Sequence, residues 1–342
     1  CLPLTACQKQ QKLYSATWFD LFDTVAIVQG YADSQDSWNA QAQAVYSDLQ
    51  RYNELFDIYH HYDGVINLYD VNARAAAAPV QVSDELYAFL RWCKDAAYPA
   101  ANGATNIAAG AVLRLWHDAR ESDSPAPPDA DAIAAALAHI DIEDLVLDDA
   151  AQTVYFADPE MALDVGAVGK GYTADLVTEI LRRHGVSSAL ISLGGNIQAI
   201  GSRPDGSDWR LGIRAPWESG NLGVLTVSDA AVVTSGGYEN YFDDGQGNIY
   251  WHILDPSTGY PADNGLQSVT IVGREGKMCD ALSTALFVMG AQSAEQYWRE
   301  NGGFEMLLVT DSGEILITEG IAENFTLNEG RTETVRVLQA AG

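Results

Sequence analysis

Cationic side chains are scarce: the 342 residues include 19 Lys and Arg against 47 Asp and Glu, a net charge of −28. A surface of that sign repels phosphate backbones and anionic lipid, which excludes nucleic acid as a partner and electrostatic docking on a membrane. Long apolar runs are missing as well; none approaches the roughly 20 residues needed to cross a bilayer. Cysteine is rare, with four in all. Cys93 and Cys279 lack metal-ligand spacing and form no disulfide framework, so both read as packed thiols. No repeat of solenoid period occurs. What remains is 47% apolar and 19% charged, the balance of a folded globular chain long enough to bury a sizeable core.

The N-terminus opens Cys1-Leu-Pro-Leu-Thr-Ala-Cys7 and turns polar at Gln8. Leu4-Thr5-Ala6-Cys7 resembles a bacterial lipobox, in which the cysteine is lipidated and the residues before it belong to a signal peptide. The expectation is therefore a lipid anchor at Cys7, with residues 1–12 as signal remnant and tether. The protein would be extracytoplasmic and held to a bacterial membrane by two acyl chains. Residues 13–342 then form one domain, or two intertwined subdomains with the site between them.

Helical periodicity dominates the first part: Trp38 to Tyr59, a helix capped by Ser83 that runs to about Ala97, Asn106 to Arg120, and Asp129 to His139. Asp20 to Val28 reads as one strand. From Leu145 short β runs take over: Leu145–Leu147, Thr153–Phe156, Ala189–Ile191, Trp209–Arg214, Val224–Val227, Tyr250–Leu254 and Val269–Val272. Met306–Val309 and Glu314–Thr318 make a late hairpin, and Ser293 with Gln296 reads as a capping box. The fold class is α+β, helix-rich first and sheet-rich later.

Five segments carry chemistry-bearing residues. Leu163–Asp175 (LDVGAVGKGYTAD) has three glycines and Lys170 before an amphipathic helix from Thr173 to Arg183. Glycines allow close backbone approach, free N–H groups at a helix start donate to phosphate oxygens, and Lys170 adds a point charge. Its spacing is neither a Walker A loop nor a dinucleotide fingerprint, and a plain tight turn is the structural alternative. Ser192–Asn196 (SLGGN) is a strand entering a Gly-Gly turn. Thr234–Phe242 (TSGGYENYF) sets a glycine pair beside Tyr238 and Tyr241, either a wall for an aromatic ligand or ordinary packing. His252–Pro261 (HILDPSTGYP) places His252 at a strand-to-loop junction suited to general base work. The other histidines, His60, His61, His117, His139 and His184, read as surface or satisfied residues. Finally, Asp280 and Thr284 in Cys279–Gly290 (CDALSTALFVMG) are one helical turn apart. They either present two oxygens to a hard cation such as Mg²⁺ or serve as a cap and a back-bonded hydroxyl.

These five segments, in this order, resemble the ApbE family of FAD:protein FMN transferases, as do LFDTVAIVQGY (Leu21–Tyr31) and NGATNIAAGAVLRLWHD (Asn102–Asp118). The resemblance implies an ApbE-like, T-fold-related architecture of mixed or antiparallel sheets flanked by helices. It implies Mg²⁺-dependent transfer of FMN from FAD to a Thr or Ser hydroxyl of a target flavoprotein, with release of AMP. By the same resemblance Asp280, Thr284 and the Ala167 carbonyl hold the metal, and His252 is the base, with Asp280 also counted as catalytic. Gly166, Lys170, Asp175, Gly194, Gly195, Asn196, Ser235, Gly236, Tyr238 and His252 contact FAD. Two other activities use the same parts: a Mg²⁺-dependent FAD pyrophosphatase and a non-catalytic flavin-binding lipoprotein. Targets carry a Ser/Thr-Gly-Ala-Ser/Thr type acceptor; Asn102-Gly-Ala-Thr105 departs from it at Asn102, so the target is expected to be a separate protein.

Overall fold

A computed structural model describes residues 11–340; Cys1, Cys7 and the lipobox lie outside the described residues. A nine-stranded sheet forms the frame. Its order is Lys12–Leu21, Thr24–Ala32, Ala189–Leu193, Asn196–Ile200, Ala231–Gly236, Leu266–Gly273, Glu305–Thr310, Ile315–Thr318 and Val335–Leu338. Every pairing is antiparallel except the last, which is parallel.

Both faces of this sheet are covered, and the side-chain period of two sorts its residues accordingly. Along Glu305–Thr310, Met306 and Leu308 join the core built with Leu282, Leu286 and Phe287 of the Gly276–Met289 helix. Leu307 and Val309 face the opposite way, against Trp209, Leu211, Ile213 and Leu225 of a three-stranded sheet. That second sheet runs Phe325–Leu327, Asn221–Val227, Trp209–Arg214. The first hairpin and the Ala189–Leu193 strand bury Val28 and Ile191 against Val45 and Leu49 of the Gln35–Phe56 helix and Val177 of the Gly169–Arg183 helix. A helix-rich region around Phe56, Phe89 and Leu90 packs on this assembly through Val165, Val168 and Ala281.

Several sequence expectations are corrected. The Asp20–Val28 strand is two strands of one hairpin, because Phe22 and Asp23 adopt left-handed φ of 55° and 50° and reverse the chain. The helix expected from Asn106 begins at Gly110; the Asn106 side chain instead accepts from the Ala108 N–H and donates to the Ile140 carbonyl. Tyr250–Leu254 keeps strand structure only within Ile249–Trp251. Ser293 and Gln296 make no capping box; the helix starts at Ala291 with Gly290 at the cap position, so Ser293 already lies inside it. Ser83 does cap its helix, accepting from the Leu86 N–H.

Two helices meet closely enough to exchange caps. The Gly169–Arg183 helix carries Lys170, and begins four residues earlier than expected. The Gly276–Met289 helix carries Asp280 and Thr284. The Asp175 carboxylate accepts the Gly276 and Lys277 N–H groups at 2.7 and 3.0 Å, and the Asp280 carboxylate accepts the Gly171 N–H at 2.7 Å. Each helix thus supplies the anion for the other's unpaired N-terminal N–H groups. A glycine is required at the crossing: a Cβ on Gly171 would lie 2.6 Å from the Asp280 Cβ and clash with the Gly276 carbonyl. Gly171→Ala is expected to cost about 1–3 kcal/mol, the range for overpacking. Urea unfolding of the purified variant checks this, and an unchanged midpoint would mean that the helices have room to spare.

Candidate active site

A cavity of about 620 Å³ opens between the helix-rich region and the sheets. That volume is within the roughly 300–1,000 Å³ of small-molecule sites. Gly166, Ala167, Lys170, Gly194, Gly195, Ser235, Gly236, Tyr238, His252, Asp280 and Thr284 all line it. Segments more than a hundred residues apart in sequence therefore reach one space.

Two expected contacts lie elsewhere. Asp175 is not on the cavity wall, and both its oxygens are taken by the N–H groups at the start of the neighbouring helix. Burial pushes its carboxyl up, and those two N–H bonds pull it back. Asp175→Ala is expected to cost about 1–2 kcal/mol, as lost caps do, while leaving FAD binding in place. The opposite pattern in paired unfolding and flavin-fluorescence titrations would restore it as a cofactor contact. Asn196 sits just behind the wall, 2% exposed. Neither polar atom of its amide meets hydrogen-bond geometry, yet it lies near enough to Asp280 to favour the charged carboxylate.

Asp280 is 5% exposed, in the fifth position of its helix and so not its cap. Burial raises its pKa from 3.8 to about 6, opposed by the Lys170 charge, the Gly171 N–H and Asn196. Thr284 makes no bond back to its own helix; its hydroxyl lies 3.2 Å from the Ser235 hydroxyl. Ala167, whose backbone carbonyl is the third oxygen expected of the site, lines the same cavity. The donor set is one carboxylate, one hydroxyl and one carbonyl, all oxygen. That set fits Mg²⁺, which takes few protein ligands and fills its remaining positions with water and substrate phosphate. The neighbouring thiol, Cys279, is buried and pushed further toward its neutral form by that burial, so it takes no part.

Lys170 extends to the Gly166 carbonyl at 2.9 Å, which holds its ammonium at the glycine turn. Asp164 accepts the Gly166 N–H at 2.8 Å and closes the same turn, with burial raising its pKa.

His252, just after the Ile249–Trp251 strand, also lines the cavity. Its Nδ1–H donates to the Glu239 carbonyl at 3.0 Å, which fixes the tautomer and leaves Nε2 as the free acceptor. The ring is accessible from the cavity although protein surrounds it on most sides. That enclosure lowers its pKa to about 4, with the charges of Lys170 and Arg120 acting the same way and the Glu239 bond opposing. The imidazole is therefore neutral, the state a base requires. The segment that orients it is itself pinned. Arg214 donates to the Glu239 carboxylate at 2.6 Å and lies over the Tyr238 ring at 4.9 Å. Gly237 lets the Trp251 indole approach within 3.1 Å of where a Cβ would stand.

Sequence patterns missed part of the lining. Phe22, Asp23 and Thr24 come from the first hairpin turn, Tyr59 from the bend after the Gln35–Phe56 helix, which stops short of the expected Tyr59, and Trp116, His117 and Arg120 from one helix face. His117, read as a surface or satisfied residue, lies 3.2 Å from the Arg120 guanidinium and lines the cavity, its ring 5.1 Å from that of Tyr59. The i, i+1, i+4 grouping of Trp116, His117 and Arg120 was the available signal. Thr105 also lines the cavity, but it is 3% exposed and its hydroxyl donates to the Ala281 carbonyl at 2.7 Å, which ties it into the fold.

Comparison with known proteins gives one answer. The model of the ApbE family matches residues 22–308. An FAD:protein FMN transferase of Klebsiella pneumoniae is 34% identical over 281 residues, 82% of this chain and 85% of that protein. One of Treponema pallidum is 37% identical over 276 residues, 76% of this chain and 75% of that protein. The crystal structure of an ApbE protein from Thermotoga maritima superposes with a TM-score of 0.81 at 28% identity, covering 92% of this chain and 99% of that one.

Proposed function

Since the chain belongs to the ApbE family, we propose that it transfers the FMN moiety of FAD to a Thr or Ser hydroxyl of a target protein and releases AMP. The observation that carries this reading is the convergence of His252, Lys170, Asp280 and Thr284 on one cavity. Asp280, Thr284 and the Ala167 carbonyl would hold Mg²⁺, which when bound offsets the charge of the FAD diphosphate. Lys170 adds a second positive charge there, and the Gly166–Gly169 turn allows close approach. His252 Nε2 takes the proton of the acceptor hydroxyl. The hydroxyl oxygen bonds to the FMN phosphorus, the P–O bond to AMP breaks, and AMP leaves as the anion. Charge compensation and alignment supply most of the rate, as in other phosphoryl transfers. The target is a separate protein with a Ser/Thr-Gly-Ala-Ser/Thr type segment, and a lipid on Cys7 would hold the enzyme outside the cytoplasm; the Leu4–Cys7 pattern supports the anchor.

The test is incubation with FAD, Mg²⁺ and a domain bearing such a segment, read by mass spectrometry. An FMN-sized mass gain on the domain with equimolar AMP is expected. Free FMN and AMP with unlabelled domain would make the protein an FAD pyrophosphatase. Intact FAD would leave only flavin binding.

A further inference from the structure

Three hydroxyls, those of Thr284, Ser235 and Ser283, form a hydrogen-bonded chain that ends on the Asp280 backbone carbonyl. Ser283 Oγ donates to the Asp280 backbone carbonyl at 3.0 Å. A hydroxyl has one proton, so in the 2.8 Å contact between Ser283 and Ser235 the donor is Ser235. Ser235 then has no proton left for its 3.2 Å contact with Thr284, and Thr284 must donate to it. Ser283 is fully buried and Ser235 partly so, on the Ala231–Gly236 strand that packs beside the helix. By occupying the Asp280 carbonyl, Ser283 also takes the acceptor to which a threonine at Thr284 would otherwise bond back.

From this order we infer that Ser235 and Ser283 are positioning residues that turn the Thr284 O–H away from the cavity, so that its oxygen lone pairs face the cation. The inference rests on the reading of Thr284 as a ligand. A neutral hydroxyl ligates through its oxygen, and a proton aimed into the site opposes the cation. The helix alone leaves the Thr284 rotor undirected; the neighbouring strand supplies the acceptor that sets it. Partners of this kind, outside the ligands themselves, change metal affinity by about 10–100-fold when removed.

The experiment measures Mn²⁺ binding to the metal-free full chain by the electron paramagnetic resonance signal of free Mn²⁺. Ser235→Ala is expected to weaken binding about tenfold, and Ser235→Thr, which keeps the hydroxyl, to restore it. Ser283→Ala frees the Ser235 proton to point at Thr284 and is expected to weaken binding as well, which covers the case of a Ser235 variant that does not fold. In a Thr284→Ala background, Ser235→Ala should cost nothing further. An equal loss in both backgrounds would reduce Ser235 to a structural role and overturn the inference, as would wild-type affinity in both Ser235→Ala and Ser283→Ala. Equal Mn²⁺ affinity of wild type and Thr284→Ala is a different result: it would remove Thr284 from the ligand set, and with it the premise.

Discussion

Asp280→Asn is expected to abolish FMN transfer while making the metal-free protein more stable at pH 8. The two effects have one origin. Asp280 is a buried carboxylate whose folded-state pKa is about 6 against 3.8 for the free side chain. Its fold prefers the neutral form, and the gap is worth about 3 kcal/mol once the group is fully ionised. The sign follows from proton counting. Between about pH 4 and 6 the folded state binds more protons than the unfolded one, so this group's contribution to stability falls as pH rises through that window and stays low above it. An amide has no charge to bury, and its carbonyl oxygen can still accept the Gly171 N–H. Its NH₂ lacks an assigned partner, which returns some of the gain, so the net stabilisation expected at pH 8 is about 1–3 kcal/mol. Urea unfolding at pH 8 and pH 5 checks it: the gap between the variants should be wider at the first than at the second. Mg²⁺ with FAD should reverse the ranking at pH 8, because binding stabilises only a protein that binds. Transfer should fall by at least about 100-fold, since the amide offers the cation no charge. A variant that transfers FMN normally, or that is less stable at pH 8 and no different at pH 5, would contradict the assignment of Asp280.

The sequence made much of this site legible, and the limits have physical causes. Asp280 and Thr284 could be placed on one helix face because their spacing is a local property of the helix. The order of five motifs carried the family, and all the site residues named from them except Asp175 and Asn196 line one cavity. Asp175 was misjudged because its partners, Gly276 and Lys277, come from a helix about a hundred residues later, and no local pattern announces a cap supplied in that way. Arg214 and Glu239 went unnoticed for the same reason: a strand residue and a turn residue meet only after the two sheets pack. The hairpin at Phe22 and Asp23 was hidden by the absence of glycine, since left-handed turns at other residues carry a weak signature. The hydroxyl chain through Ser235 and Ser283 had no local signature, because its members come from a strand and a helix that meet only in the fold. Sequence thus exposed what the helices fix by themselves, and tertiary contact decided what each polar group does.

His252→Ala is expected to lower turnover by about 10²–10⁴, the range for a positioned general base, with little change in FAD affinity. The pH dependence makes the assignment specific. In the free enzyme the enclosed ring has a pKa of about 4, well below its ordinary 6.5. The base is therefore already neutral at pH 5, and kcat/KM measured at limiting FAD should stay flat from pH 8 to about 5 as far as this group is concerned. Bound FAD changes the balance. Its diphosphate brings negative charge near the ring and offsets the Lys170 and Arg120 charges that help hold the pKa down. The imidazolium is then less disfavoured, so the acid limb of kcat at saturating FAD should lie at higher pH than that of kcat/KM. Both limbs should vanish in His252→Ala, whose remaining rate should rise with pH as solvent hydroxide replaces the lost base. Glu239 offers no substitute, because it meets the ring through its backbone carbonyl while its carboxylate is engaged by Arg214. Turnover within tenfold of wild type at pH 7, or an acid limb that survives in the variant, would assign the proton to another group on the cavity wall. Asp164, whose burial raises its pKa and whose carboxylate closes the Lys170 turn, would be the next to substitute.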